Sequence, residues 1–356
     1  MALPQITFTI GGTQIPIPIT VFSVTGGSHG TTGSLSVSAS IKALTQTGFD
    51  LLGQSNASGT PLEVTLDVSA DSGSGRLFSG EFMTSSWEYA NDKVTLHCRD
   101  KGGKMVDEKR VLAPGQSSGG VQTQNQKISD FVSQIAKAYG LTPKVNVKND
   151  ETMGRYFGDE NTIVLTSTPK TWWAFLTKLA RDTGNEMHVT PKGELVFGTP
   201  GDGDTLRFTW RVPFASDGSY PLLHLDFEHN PSRNKHHTVT VNSYDPTHAK
   251  VTTGKAVRGQ GTKRYSFHSD GLTADQATKR ADAISKDISK REIIAHIQMD
   301  FLPSIQPMQP AQISGEIDPV FASYDYVVSE YSHEYSIAER NADLYTQATL
   351  LKKGDT

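Results

Sequence analysis

Five histidines, His224, His229, His236, His237 and His248, fall within 25 residues and are the first candidates for a metal centre. No two of them stand at the helical i, i+4 spacing that puts paired imidazoles on one face, and no cysteine is near. Strand and surface histidines are therefore expected in place of a metal site. Glu81, Glu88 and Asp100 are the carboxylates that glycosidic hydrolysis would draw on, but no distance between them can be read from the chain. Cys98 lies inside an alternating run and reads as a small apolar filler, and no serine sits in a G-x-S-x-G elbow. Gly102-Gly103-Lys104 lacks the upstream glycine and downstream Ser/Thr of a phosphate loop. Lys255 to Arg264 is glycine-rich and basic and could touch phosphate, yet it has no interleaved aromatics on which bases would stack. Trp87, Tyr89 and the Trp172-Trp173 pair are the rings a glycan platform would use, and burial is the commoner fate of such rings. No enzyme signature survives, so neither a catalytic residue nor a cofactor or metal ligand is assigned.

The elements that position these residues are organised around Ser167 to Gly198. Thr168 suits an N-cap and Pro169 the first helical position. Trp172, Phe175, Leu176, Leu179 and Ala180 recur at spacings of three and four, and Gly184 is placed to end the helix. Met187 to Val189 and Leu195 to Phe197 then flank Thr190 to Gly193, a turn between two short strands. A plain core helix on a plain hairpin is the expectation.

Before that stretch the chain reads as strands. Ile6, Phe8 and Ile10 alternate, as do Ile15, Ile17, Ile19 and Val21, whose two intervening prolines mark an edge or irregular strand. Gly26 to Gly33 reads as a loop. Leu35 to Ile41, Leu62 to Val68, Phe78 to Met83 and Trp87 to Cys98 complete a meander with no convincing helix, which is barrel or sandwich arithmetic. From Asp100 a polar, glycine-rich linker leads to a helix from Lys127, with Ser129 able to cap and Gly140 to close. After Thr205 strands return, interrupted by a helix over about 270–292 with a Thr273/Gln276 capping box. Ile293 to Met299, Val320 to Glu330 and Leu344 to Leu351 close the chain as strands. The predicted class is mainly β with an α/β insertion. The predicted units are a first β-barrel at 1–105, an α/β module with the helix and hairpin at 106–204, and a second β-barrel at 205–356.

Composition sets outer limits. The 356 residues carry 34 basic and 38 acidic side chains, too balanced for a global nucleic-acid or membrane-surface binder. One cysteine permits no disulfide within a chain. The first residues lack a basic region ahead of an apolar core, and no run of 18 apolar residues occurs, so neither a signal peptide nor membrane insertion is expected.

Val94 to Asp100 and Val239 to Asp245 share one shape: Val-Thr-apolar, three residues, then Asp and a polar turn. Set on both sides of the α/β module, this echo suggests two related β domains.

The order of these signals resembles the late control D family, the baseplate hub proteins of contractile phage tails. Phe78-Ser79-Gly80 followed by Val94 to Asp100 is similar to its "F-x-G … l-x-l-x-a-x-D" stretch. Phe175-Leu176, Leu179-Ala180 and Gly184 resemble "FL-x-x-LA-x-x-x-G". Lys127 to Leu141 resembles its first helix, Lys192 to Phe197 the turn that follows the motif, and Tyr326 to Val328 with His333 its closing strands. Val239 to Asp245 and the helix from Ala277 to Arg291 resemble its second barrel and insertion. The loop Pro303 to Pro310 lacks the family's Pro-Gly, and the first 75 residues match by strand pattern alone.

The resemblance implies two similar tube-like antiparallel barrels and a homotrimer. That ring joins a sixfold tail tube to a threefold spike, meets other baseplate proteins, and passes DNA or a tape-measure protein. It implies residence in the virion tail baseplate after assembly in the bacterial host cytoplasm. A β-scaffold cell-wall glycan hydrolase and a carbohydrate-binding tail module are the alternatives.

Overall fold

The computed structural model describes residues 3–15, 18–28, 31–43, 61–108, 126–148, 150, 171–212, 218–233, 237–245, 250–258, 263–268, 272, 274–338 and 341–353. Its architecture turns on one C-terminal hairpin, β18 (Tyr326–Ala338) and β19 (Asn341–Lys352). β19 pairs with β16 (Ile293–Asp300), β16 with β12 (Tyr220–His229), and β12 with β11 (Leu206–Trp210). β11 pairs with β17 (Pro310–Gly315), which returns to the start of β18 and closes a six-stranded barrel. The barrel is antiparallel except at β11, which runs parallel to both neighbours. Strict alternation in β16 turns Ile293, Ala295, Ile297 and Met299 inward, where they meet Phe208, Ile313, Tyr326 and Leu350.

The later part of β18 leaves this barrel and pairs with β3 (Ile19–Gly27). From β3 the sheet continues through β4 (Ser34–Ser40), β7 (Lys93–Asp100), β6 (Gly73–Glu88), β5 (Glu63–Ala70), β1 (Gln5–Ile10) and the short β2 (Thr13–Gln14), every pair antiparallel. It wraps a second core of Phe8, Phe22, Leu35, Leu66, Phe78 and Leu96. Tyr335 and Phe301 enter that core from the C-terminal half, and the Tyr335 ring stacks on Phe22 at 5.3 Å. β3 is thus an interior strand and not an edge, with an irregular register between Ile19 and Val21 at its start; it begins after Pro18, so no proline interrupts its ladder. β6 runs unbroken through Trp87, and the turn comes at Tyr89–Asp92, where Asp92 takes a φ of 49°.

The α/β module contains the short α1 (Gly103–Asp107), α2 (Ile128–Ala138), α3 (Trp172–Asp182) and a sheet of order β8 (Thr142–Asn146), β10 (Glu194–Gly198), β9 (Glu186–Val189). Gly140 and Gly184, both at φ 71°, end α2 and α3, with Leu141 and Asn185 donating back to Ala136 and Ala180. The caps differ from expectation. Thr171 caps α3, accepting from Ala174 N–H at 3.3 Å, and Thr168 and Pro169 lie outside the described residues. Ser129 is no cap: Asp150, 21 residues on, accepts from both its N–H and its hydroxyl.

Between β12 and β16 the chain forms a three-stranded sheet, β14 (Lys250–Arg258), β13 (His237–Asp245) and β15 (Lys263–His268), with α4 (Ala274–Lys290) against it. Val239, Val241, Leu272, Ala277, Ala281 and Ile284 form its own core. The echo between Val94–Asp100 and Val239–Asp245 therefore joins unlike places: β7 is part of the large sheet, and β13 is the centre of this small one. A Val-Thr-apolar strand running into an Asp turn reports local geometry only. Thr273, the expected cap of α4, lies outside the described residues. Two buried ion pairs fasten α4 to the module, Arg280–Asp182 at 2.9 Å and Lys290–Glu186 at 2.7 Å. Before β18, Asp318 caps a single turn, α5 (Pro319–Ala322), so the run from Val320 is not continuous strand.

Candidate functional site

The residues first considered for chemistry do not converge. His224 and His229 are exposed on β12, and the His224 ring stands 2.6 Å from Asp226 Oδ2. His237 is buried, with Nε2 2.9 Å from Ser285 Oγ. His236 and His248 lie outside the described residues. Among the described residues no three His, Cys, Asp or Glu side chains are grouped to hold a metal ion. Cys98 is buried, and burial pushes its thiol up to about 12, which leaves no thiolate at neutral pH.

Glu81 points outward and binds Lys104 at 2.8 Å, while Asp100, next to its cross-strand neighbourhood, points inward. The two carboxyls thus face opposite sides of one sheet. Asp100 accepts from the N–H groups of Gly33 and Gly102, and burial still raises its carboxyl to about 7. Glu88, at the end of β6, accepts from Asn91. Trp172 and Trp173 lie in the module's core, Trp87 packs beside the N-terminal core, and Tyr89 stands exposed. Of the basic stretch, Lys255 to Arg258 lie on β14 and Lys263–Arg264 on β15; residues 259–262 lie outside the described residues.

What the fold does assemble is a polar face. Following the strand register from β5 to β12, Glu63, Glu81, Arg99, Ser34, Thr25, Ser332, Gln347, Gln298 and His224 stand opposite one another in a single rung. At ~4.8 Å between strands, a rung of nine residues is ~38 Å long. A second rung runs Thr84, His97, Ser36, Ser23, Glu334, Tyr345 and Asp300, and a third runs Gly27, Glu330, Thr349, His296 and Asp226. One face of the sheet therefore passes without a break from the C-terminal barrel to the N-terminal half across the β18–β3 seam.

Physical chemistry keeps that face wet. Its side chains are short hydroxyls, amides and carboxylates, and many satisfy one another. Ser23 donates to Glu334 at 2.7 Å, Thr25 and Ser34 share a hydrogen bond at 2.7 Å, and Gln347 donates to Gln298 at 3.5 Å. The three rungs hold six carboxylates, three histidines, one arginine and no lysine. Lys101, from the turn after β7, and Lys104, on α1, reach in to pair with Glu63 and Glu81. A shallow groove of about 390 Å³ lies over the seam, edged by Thr25, Ser332, Gln347, Gln298, His296 and His224. None of the hydroxyls and amides in these rungs was singled out from the sequence. Period-two alternation in each strand signals an outer face, but not that nine such faces align.

No family model matches the sequence, and no curated relative matches it. Solved structures do. A tail protein from Neisseria meningitidis MC58 is 12% identical, covers 99% of this chain and 97% of its own, and superposes with a TM-score of 0.68. The 43 kDa tail protein of prophage MuSo2 from Shewanella oneidensis is 15% identical over 98% of both chains, with a TM-score of 0.65. The E. coli c3393 protein, a component of the type VI secretion system with structural similarity to T4 tail proteins gp27 and gp5, is 11% identical. It covers 98% of this chain and 77% of its own, with a TM-score of 0.58. The fold is thus that of phage and prophage tail proteins and of a type VI secretion component.

Proposed function

We propose that the chain is a structural, non-enzymatic baseplate hub of a contractile phage tail or related injection particle, of the late control D type. Three copies form a ring that joins the sixfold tail tube to the threefold central spike and passes DNA or tape-measure protein. The observation that carries this reading is the unbroken polar rung across nine strands. A channel wall must be continuous, hydrated and poor in lysine, so that neither phosphate nor an apolar segment adheres to it. Three copies end to end bring about 27 strands, a circumference of ~130 Å and a backbone diameter of ~40 Å at ~4.8 Å per strand. Two β units per copy, 1–105 and 205–356, present six related surfaces to a sixfold tube and three to a spike, while the module at 106–204 faces neighbouring baseplate proteins. Such a chain would reside in the virion tail after assembly in the host cytoplasm.

The hydrolase reading draws no support from Glu81, held by Lys104, or from Asp100, buried on the other face. The glycan-binding reading loses Trp172 and Trp173 to the core. Light scattering coupled to size exclusion tests the ring: three times 38.7 kDa, about 116 kDa, is expected. A monomer at micromolar concentration, with and without the cognate spike, would overturn it.

A further inference from the structure

β15 has one neighbour, β13, among the described residues, and all of its residues except Tyr265 are exposed. α4 packs along β13 and β14 and leaves the inner side of β15 uncovered, so Phe267 is 38% exposed although it points the same way as buried Val241. Beside it a groove of about 660 Å³ opens between β15, α4 and α3. Its walls carry Phe267, Ile284, Ile288, Ala174 and Thr177, and the Thr177 hydroxyl has no hydrogen-bond partner among the described residues. The groove itself carries Lys178, Arg181 and Arg280 against Asp182 and Asp287. On the opposite face of the sheet Lys255 and Arg264 stand exposed, in a chain whose net charge is −4. Asp182 is already engaged by both Lys178 and Arg280.

We infer that the free edge of β15 receives an extended, acidic segment of a partner protein as an added strand. Strand addition supplies main-chain hydrogen bonds, and the period of two divides the guest's side chains between two faces. Apolar residues enter the groove over Phe267, Ile284 and Ile288. Acidic residues lie on the other side, beside Arg264. The recognised sequence therefore alternates acidic and apolar over about the six residues of β15. A single-stranded nucleic acid is the other polyanion of similar width, but it would not add a hydrogen-bonded strand to β15, and the test below separates the two. This site lies away from the polar rungs and does not depend on the ring, so either proposal can fail alone.

The test titrates the full chain with a synthetic octapeptide of alternating glutamate and valine, read by anisotropy and by backbone hydrogen exchange. Slower exchange at residues 263–268 is expected, and Arg264→Glu and Phe267→Asp should each weaken binding at least tenfold. Arg264 is exposed, so that variant is expected to keep the fold, and unchanged circular dichroism checks it. The proposal is overturned if the peptide does not bind, if β15 exchange is unchanged, or if both variants bind normally. It is also overturned if an oligonucleotide of equal charge binds more tightly through the same residues.

Discussion

Ser332 of β18 stands directly opposite Thr25 of β3, and this pair is the midpoint of the rung that joins the two β halves. One strand does both jobs: its first residues close the C-terminal barrel on β17, and the remainder holds the N-terminal sheet. The seam is tight on its inner side. A Cβ on Gly26 would sit 2.6 Å from the Tyr331 ring.

Gly26→Val is therefore expected to destabilise the chain by ~1–3 kcal/mol, the usual cost of overpacking. Tyr331→Leu should recover part of that loss in the double variant, because the two changes share one contact. Urea midpoints of the four proteins check it, and additive losses would contradict the shared contact.

Stability should fall in acid through two buried imidazoles. Burial lowers His333 to about 3 and His188 to about 4, each below the ~6.5 of an exposed histidine. Their contribution is present above ~6.5 and is lost as pH falls through those values. The His333 ring is held by Thr346, whose Oγ1 lies 3.0 Å from Nδ1 and accepts from Leu302 N–H. Asp100 carries the opposite sign. Its folded value of about 7 lies above the ~3.9 of an exposed carboxyl, so its contribution is present below ~3.9 and is lost as pH rises through 7. His333→Gln should flatten the limb between pH 6.5 and 4, and Asp100→Asn the opposing slope between 4 and 7, in denaturant midpoints measured across pH.

Met308, in the loop that lacks a Pro-Gly, takes a φ of 72°, which glycine adopts freely. Its side chain is buried with Sδ 3.2 Å from His188 Nδ1. Met308→Gly relieves ~1–2 kcal/mol of left-handed strain but removes a buried side chain whose truncation to Ala costs ~2–5 kcal/mol. Packing wins, so a net loss is expected in thermal or chemical unfolding; a gain would mean that the loop is strained without compensation.

Asp182→Ala takes from the buried Arg280 the carboxylate it pairs with, at a cost of ~3–5 kcal/mol. Replacing both with apolar residues, Asp182→Leu with Arg280→Met, should restore most of that loss by the same unfolding measurement.

Much of the fold was legible where the signal is local. The buried face of α3, the glycines at 184 and 193 that take positive φ, and the alternation in β16 and β19 follow from neighbours within a few residues. Two kinds of feature were not. Thr25 and Ser332 are 307 positions apart, and nothing near either residue announces the other. Asp150 likewise caps α2 from a distance, so Ser129 looked like the cap. The polar face itself is written in serines, threonines and glutamines, which read as ordinary solvent-facing positions until register aligns them.

In the proposed three-copy ring this face lines the bore. Pulsed dipolar spectroscopy on Gln347→Cys, spin-labelled beside an unreactive buried Cys98, tests it most directly. One interspin distance per pair is expected, at or below the ~40 Å set by 27 strands. No dipolar modulation, or distances well beyond that span with an intact trimer mass, would contradict it.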